Sequence, residues 1–143
     1  MNKMEIKFTA KSENQAFARV VAAAFVTQLN PTVAEINEIK TAVSEAVTNA
    51  IIHGYENDDN NDVSMKAFIE GNEIFIEISD SGKGIEDIAQ AREVLYTSKP
   101  DEERSGMGFT VMEEFMDSLE VLSSLGSGTT VKMNKKIGLE VVS

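Results

Sequence analysis

The 143-residue chain has no cysteine and no tryptophan, a single histidine and two prolines. Without cysteine it can form neither a disulfide nor a thiolate metal centre, a composition that fits a reducing compartment. His53 alone cannot build a multi-histidine metal site. Basic residues are also scarce. Thirteen Lys and Arg against 24 Asp and Glu leave a formal charge of −11, which argues against binding to nucleic acid or anionic lipid by bulk electrostatics. The balance favours a basic partner, or a site that needs a cation. The longest apolar run, Val20 to Val26, is far too short to span a bilayer. Met1 to Glu5 carries no signal-peptide core, so the expected location is the cytoplasm, with no membrane partner. The familiar phosphate-binding signatures are missing too. There is no G-x-x-x-x-G-K-[ST], no strand-borne G-x-G-x-x-G opening a helix, and no glycine loop, H-R-D and D-F-G set. Any nucleotide this chain uses must be held by another architecture.

Apolar residues make up 42% of the chain, enough for a core, and the length suits one domain over residues 1–143. Met4, Ile6 and Phe8 alternate with polar residues as in a short strand. Ser12 with Gln15 reads as a capping box opening a helix to about Leu29, with Phe17, Val20, Val21, Ala24 and Phe25 on its buried face. Asn30-Pro31 stops it. Thr32 with Glu35 is a second capping box, opening a long helix through Ile36, Ile39, Val43, Val47, Ala50 and Ile51. It ends near His53-Gly54, where glycine suits a left-handed stop. Val63–Glu70 and Ile74–Ser79 form a hairpin around Gly71-Asn72. Gly82 to Gly108 reads as a long functional loop or lid with a short helix near Asp87 to Leu95. Phe109–Met116 is a short helix, and Leu119–Ser124 with Thr129–Lys135 forms a final hairpin. The order β-α-α-β-β-(loop)-α-β-β predicts a two-layer α/β sandwich, a mixed or antiparallel sheet covered on one face by helices.

Three sets of residues carry chemistry. Glu45 and Asn49 lie one helical turn apart on one face. An amide oxygen is a good hard ligand for Mg²⁺, which takes few protein ligands, and a neighbouring carboxylate can orient or deprotonate a hydroxyl. The plainer reading is a solvated pair on a helix. Asp80 follows an apolar strand and opens Asp-Ser-Gly-Lys-Gly. Its carboxylate can accept from the exocyclic amino group of adenine, while Gly82 and Gly84 let the backbone approach a flat base and adopt positive φ. An ordinary turn reads the same way. In Arg104-Ser-Gly-Met-Gly-Phe109, Gly106 and Gly108 open a helix whose bare amides can bind an anion, and Arg104 can clamp a phosphate. Thr130, at the start of the last strand, is a further candidate for positioning the base.

The order of these parts resembles the ATP-binding domain shared by gyrase, the Hsp90 chaperone, histidine kinases and MutL, over roughly Ser12 to Lys135. More narrowly, Glu45-Ala-Val-Thr-Asn49-Ala-Ile-Ile-His53-Gly54 and Thr97-Ser-Lys-Pro100 through Phe109 resemble the anti-sigma serine kinases of spore-forming bacteria. The resemblance implies ATP and Mg²⁺ as cofactors, a sporulation sigma factor as one partner and an anti-anti-sigma protein as serine substrate. It also implies a homodimer with no direct nucleic-acid contact. Asn49 would hold the metal, Glu45 would act on the serine hydroxyl, and Asp80 would read adenine with Gly82, Gly84 and Thr130 around the base. Arg104, Gly106 and Gly108 would meet the phosphates. Arg19, off the apolar stripe of the first helix, is expected to face solvent and anchor a partner. A histidine-kinase catalytic fragment and a non-catalytic nucleotide-dependent adaptor are the alternatives. The first needs a phospho-accepting helical hairpin for which the chain has no room, and Glu45 argues against the second.

Overall fold

Alternation builds the sheet. In β2 (Asp62–Glu70) Val63, Met65, Ala67 and Ile69 are buried, as are Ile74, Ile76 and Ile78 in β3 (Glu73–Asp80) and Thr129, Val131 and Met133 in β5 (Gly128–Lys136). A period of two places each set on one face of its strand. The structure is a computed structural model that describes residues 1–85, Ile88 and residues 108–138. With β1 (Asn2–Thr9) and β4 (Ser118–Ser124) the strands run in the order β1-β2-β3-β5-β4, and every neighbouring pair is antiparallel. The sheet is therefore antiparallel throughout, not mixed. Helices α1 (Glu13–Val26), α2 (Val33–Asn49) and α3 (Gly108–Phe115) contribute the other side of the core. The opposite face of the sheet is polar. Glu5, Lys66, Glu77, Lys132 and Glu120 form an in-register row of alternating charge across all five strands, beside the stacked rings of Phe68 and Phe75. Among the described residues no helix is long and apolar enough to cross a membrane.

The two expected capping boxes part ways. Thr32 sits in extended backbone, accepts from the Glu35 N–H at 3.0 Å, and its own N–H donates to Glu35 Oε1 at 2.9 Å. The second oxygen of Glu35 accepts from the Gly138 N–H. Ser12 instead has helical φ and ψ and makes no side-chain cap bond. Its expected partner is engaged elsewhere, since the Gln15 amide donates to Thr48 Oγ1 on α2. Asn14 holds the chain entry by donating to the Thr9 carbonyl.

The Gln15–Thr48 bond also marks the face of α1 that meets α2. The fully buried stripe is Ala18, Ala22 and Val26, not the stripe of larger residues expected. Small side chains let two helices pack closely. The consequence is that Phe17 and Val20 remain 51% and 60% exposed.

Loss of the working cap should be felt and loss of the idle one should not. Thr32→Ala is expected to cost about 1 kcal/mol, and Ser12→Ala less than about 0.5 kcal/mol, both read from urea unfolding midpoints.

Candidate functional site

Helix α2 carries Glu45 and Asn49, both partly buried. Beyond Asn49 it does not continue as an α-helix. Ala50–Gly54 form a π-helical turn, closed by the Tyr55 N–H donating to the Ala50 carbonyl. Such turns often lie at functional sites. The widened turn delivers Gly54 against the end of β3. A Cβ on Gly54 would lie 2.8 Å from both Cγ and Oδ1 of Asp80. Gly54 is not left-handed, contrary to the expected stop. That conformation falls to Glu56 and Asn57 instead, and Gly54 is glycine because a carboxylate rests on its Cα.

The turn after Asp80 is tied down on both sides. Asp80 Oδ1 accepts from the Gly82 N–H at 2.8 Å. The Ser81 N–H donates to the Tyr55 hydroxyl, which donates in turn to the Asp62 carbonyl. The Lys83 N–H donates to the Gly54 carbonyl, and the Lys83 carbonyl accepts from Gly126. A Cβ on Gly82 would stand 2.1 Å from the Gly54 oxygen; Gly84, at φ +79°, would place one 2.0 Å from the Ser124 oxygen. Of the two glycines only Gly84 needs positive φ. Burial pushes the Asp80 carboxyl above the ordinary carboxylate range, opposed by the N–H groups of Gly82 and Thr129.

At the other end of the site, Gly108 opens α3 directly against the acid–amide pair. Its absent Cβ would lie 3.2 Å from Glu45 Oε1 and 3.3 Å from Asn49 Nδ2. The fold thus brings Glu45, Asn49 and the amide end of α3 together, while Asp80 and Gly82 lie against Gly54 at the far end of the same helical segment. Asn49 and Glu45 supply hard oxygen donors. Among the described residues no group of three or more His, Asp or Glu could hold a metal, so a cation here would depend on few protein ligands.

Thr130 is not part of this cluster. Its hydroxyl lies 3.0 Å from Ser79 Oγ, on the opposite face of the sheet from Asp80. The strand residue facing Asp80 is Thr129, which is buried and pairs through Oγ1 with Ser123 Oγ at 2.7 Å. Ser123 also accepts from the Ile85 N–H. Counting alternation back from buried Val131 identifies Thr129. Tyr55 and Gly54 carry no comparable signal in the sequence. Arg104 and Gly106, and the lid and short helix expected between Gly82 and Gly108, lie outside the described residues apart from Gly82–Ile85 and Ile88. Arg19 is not fully turned to solvent as expected. It follows Ala18 of the buried stripe, it is partly buried, and its Nε is shielded without a hydrogen-bond partner among the described residues.

These features coincide with a known class. A family profile described as "Histidine kinase-like ATPase domain" matches residues 8–135. The fold agrees. The RsbU and RsbW domains of a Mycobacterium tuberculosis protein superpose with a TM-score of 0.67 at 17% identity, over 96% of this chain and 32% of that one. A mycobacterial sensor histidine kinase gives 0.57 at 18% identity, over 71% of this chain and 72% of that one. The sequence is far more similar to the anti-sigma F factor of Clostridium beijerinckii, at 62% identity over 138 residues and 96% of each chain. It is also similar to that of Thermoanaerobacter sp. strain X514, at 61% over 137 residues, 96% of this chain and 95% of the other. The chain belongs to the anti-sigma F factor family.

The raised Asp80 carboxyl makes stability depend on pH. The folded protein holds this proton to higher pH than the unfolded chain, whose value is near 3.8. The contribution is therefore full below that value and is lost as pH rises through the raised folded value. Asp80→Asn should flatten this decline. Its unfolding midpoint should gain on the parent protein as pH rises above the unfolded value near 3.8, as measured by urea titration at each pH.

Proposed function

We propose that this chain is an ATP- and Mg²⁺-dependent protein serine kinase as well as an anti-sigma factor. It sequesters a sporulation sigma factor in the cytoplasm, phosphorylates the anti-anti-sigma protein that opposes it, and works as a homodimer. The observation that carries the reading is one helical segment with a functional group at each end. Gly54, against Asp80, and Glu45, against Gly108, are nine residues apart, roughly 13 Å at about 1.5 Å per residue. That length suits a nucleoside triphosphate laid along the segment, base at Asp80 and phosphates at α3.

The parts then take distinct roles. Asp80 accepts from the adenine amino group, and the missing side chains of Gly82 and Gly84 keep the adjoining turn close. Thr129 replaces Thr130 as the strand hydroxyl on this side. When bound, ATP would supply its terminal phosphoryl group and leave as ADP, with Mg²⁺ neutralising the charge. Asn49 would offer its amide oxygen to the metal, while Arg104, Gly106 and Gly108 would meet the phosphates. Glu45 orients the serine hydroxyl and takes its proton as the oxygen attacks. Phosphoryl transfer asks mainly for such positioning and charge neutralisation. The absence of a Cβ at Gly108 supports this arrangement, because a side chain there would press on both Glu45 and Asn49.

The test is transfer of labelled phosphate from ATP to the anti-anti-sigma protein. Glu45→Ala is expected to slow transfer by about 10²–10⁴-fold with ATP affinity retained. Asp80→Asn should weaken ATP and ADP alike, by about 1.5–3 kcal/mol in calorimetry. A parental transfer rate in Glu45→Ala would reduce that residue to structure, and no transfer by the parent protein would remove the kinase assignment.

Arg19 is the proposed anchor for the protein partners. It is a cation on α1 of a strongly acidic chain, where it offers a pairing point for an acidic patch. Arg19→Glu should weaken capture of the sigma factor or of the anti-anti-sigma protein in a pull-down, while calorimetric ATP affinity stays at the parental value. Undiminished capture of both would move the interface elsewhere.

A further inference from the structure

Tyr55 is held through both of its backbone groups. Its N–H closes the π turn on the Ala50 carbonyl, and its own carbonyl accepts from the Asp58 N–H at 2.9 Å. The ring packs against the core, and the hydroxyl ends between two strands. Strands β2 and β3 pair in register as far as Ser64 opposite Ser79. Two residues further along each strand, the same register would set Asp62 opposite Ser81. The hairpin closes on Glu70 opposite Glu73, and alternate pairs from such a closing pair are hydrogen-bonded. Asp62 and Ser81 fall among them. A direct bond would run from the Ser81 N–H to the Asp62 carbonyl over about 2.9 Å. The Tyr55 hydroxyl stands between the two instead. It accepts from the Ser81 N–H at 2.7 Å and donates to the Asp62 carbonyl at 2.8 Å. One oxygen is thus inserted into the ladder, and β3 parts from β2 immediately after Asp80.

The parting falls where the carboxylate is placed. Asp80 rests on the Cα of Gly54, and its side chain accepts from the backbone N–H groups of Gly82 and Thr129. A carboxylate has about four acceptor positions, so capacity remains for a ligand's donor. We propose that Tyr55 is a positioning residue for base recognition: its inserted hydroxyl holds β3 open from β2 and so sets where Asp80 meets the adenine amino group. The inference rests on the reading of Asp80 as the base contact and names what places it. Folding does not require the hydroxyl. Asp62 and Ser81 are both exposed, so water can serve their backbone groups, or the ladder can close and pair them directly. Core packing needs only the ring, which phenylalanine also has. Either substitute restores hydrogen bonds but not position. Closure draws Ser81 toward β2, and a water is not fixed to α2. The tyrosine oxygen is delivered from the end of the same helical segment that carries Glu45 and Asn49, so one element sets both the base contact and the acid–amide pair.

Calorimetric titration with ADP and Mg²⁺, run as a double-mutant cycle, tests this. Tyr55→Phe is expected to keep the parental circular dichroism spectrum and a cooperative urea transition. It should raise the dissociation constant for ADP roughly three- to tenfold. In the Asp80→Asn background the same substitution should cost less than about twofold, because the group it misplaces no longer makes the parental bond. Parental ADP affinity in Asp80→Asn overturns the base-contact reading itself. Parental affinity in Tyr55→Phe, with Asp80→Asn impaired, leaves that reading intact and overturns this inference. Equal losses from Tyr55→Phe in both backgrounds mean that the hydroxyl acts on binding independently of Asp80, and overturn it as well.

Discussion

The contact of the Asp80 carboxylate with the bare Cα of Gly54 is the point on which the arrangement of this protein turns. It joins the end of a central strand to the end of the longest helix, and it can form only because α2 widens into a π-helical turn and residue 54 has no side chain. From it the neighbouring bonds follow. The Gly54 carbonyl takes the Lys83 N–H, the Tyr55 hydroxyl bridges Ser81 to Asp62, and the Lys83 carbonyl takes Gly126. A carboxylate held in partial burial is costly to the folded state, and its raised proton affinity records that cost. Two backbone N–H groups offset only part of it. A group that weakens the fold yet is surrounded by bonds that fix its position is characteristic of a binding site, where stability is given up for a prepared geometry.

The same helix sets the other end of the site. Glu45 and Asn49 precede the π turn, and α3 begins against them at Gly108. Sheet and helices therefore meet twice along one segment, once through Asp80 and once through the amide end of α3. Residues far apart in sequence converge because α2 is rigid over that length. Its first turn is pinned by the Thr32–Glu35 box, which reaches to Gly138, and Lys135 on β5 pairs with Glu38 one turn on.

Much of this was legible in the sequence. Strands with strict alternation and hairpins marked by glycine came out in order, and so did the Thr32 box, which the Gly138 bond to the second oxygen of Glu35 leaves intact. Glu45 and Asn49 were paired correctly because helical spacing is local. What escaped depended on tertiary context. Ser12 lost its cap because Gln15 is drawn across to Thr48, a residue 33 positions away. The left-handed stop assigned to Gly54 ignored the carboxylate that needs its space. Thr130 was chosen over Thr129 by motif order, although alternation from Val131 puts Thr129 on the side of Asp80. In each case a local pattern was read correctly as chemistry and lost to a partner elsewhere in the chain.

The rotation of α1 shows the same competition with a larger consequence. Hydrophobicity alone favours burying Phe17 and Val20, each worth about 1.5–3 kcal/mol when removed from water. Helix pairing favours Ala18 and Ala22, whose small side chains let α1 lie close to α2. Close pairing wins, so the larger side chains point past the edge strand and add nothing to the monomer through their exposed area. Among the described residues two buried polar atoms lack hydrogen-bond partners, Arg19 Nε on α1 and Ser44 Oγ on α2, and Ser44 directly precedes Glu45. An apolar stripe in the open and unsatisfied polar atoms within are both costs to the folded chain.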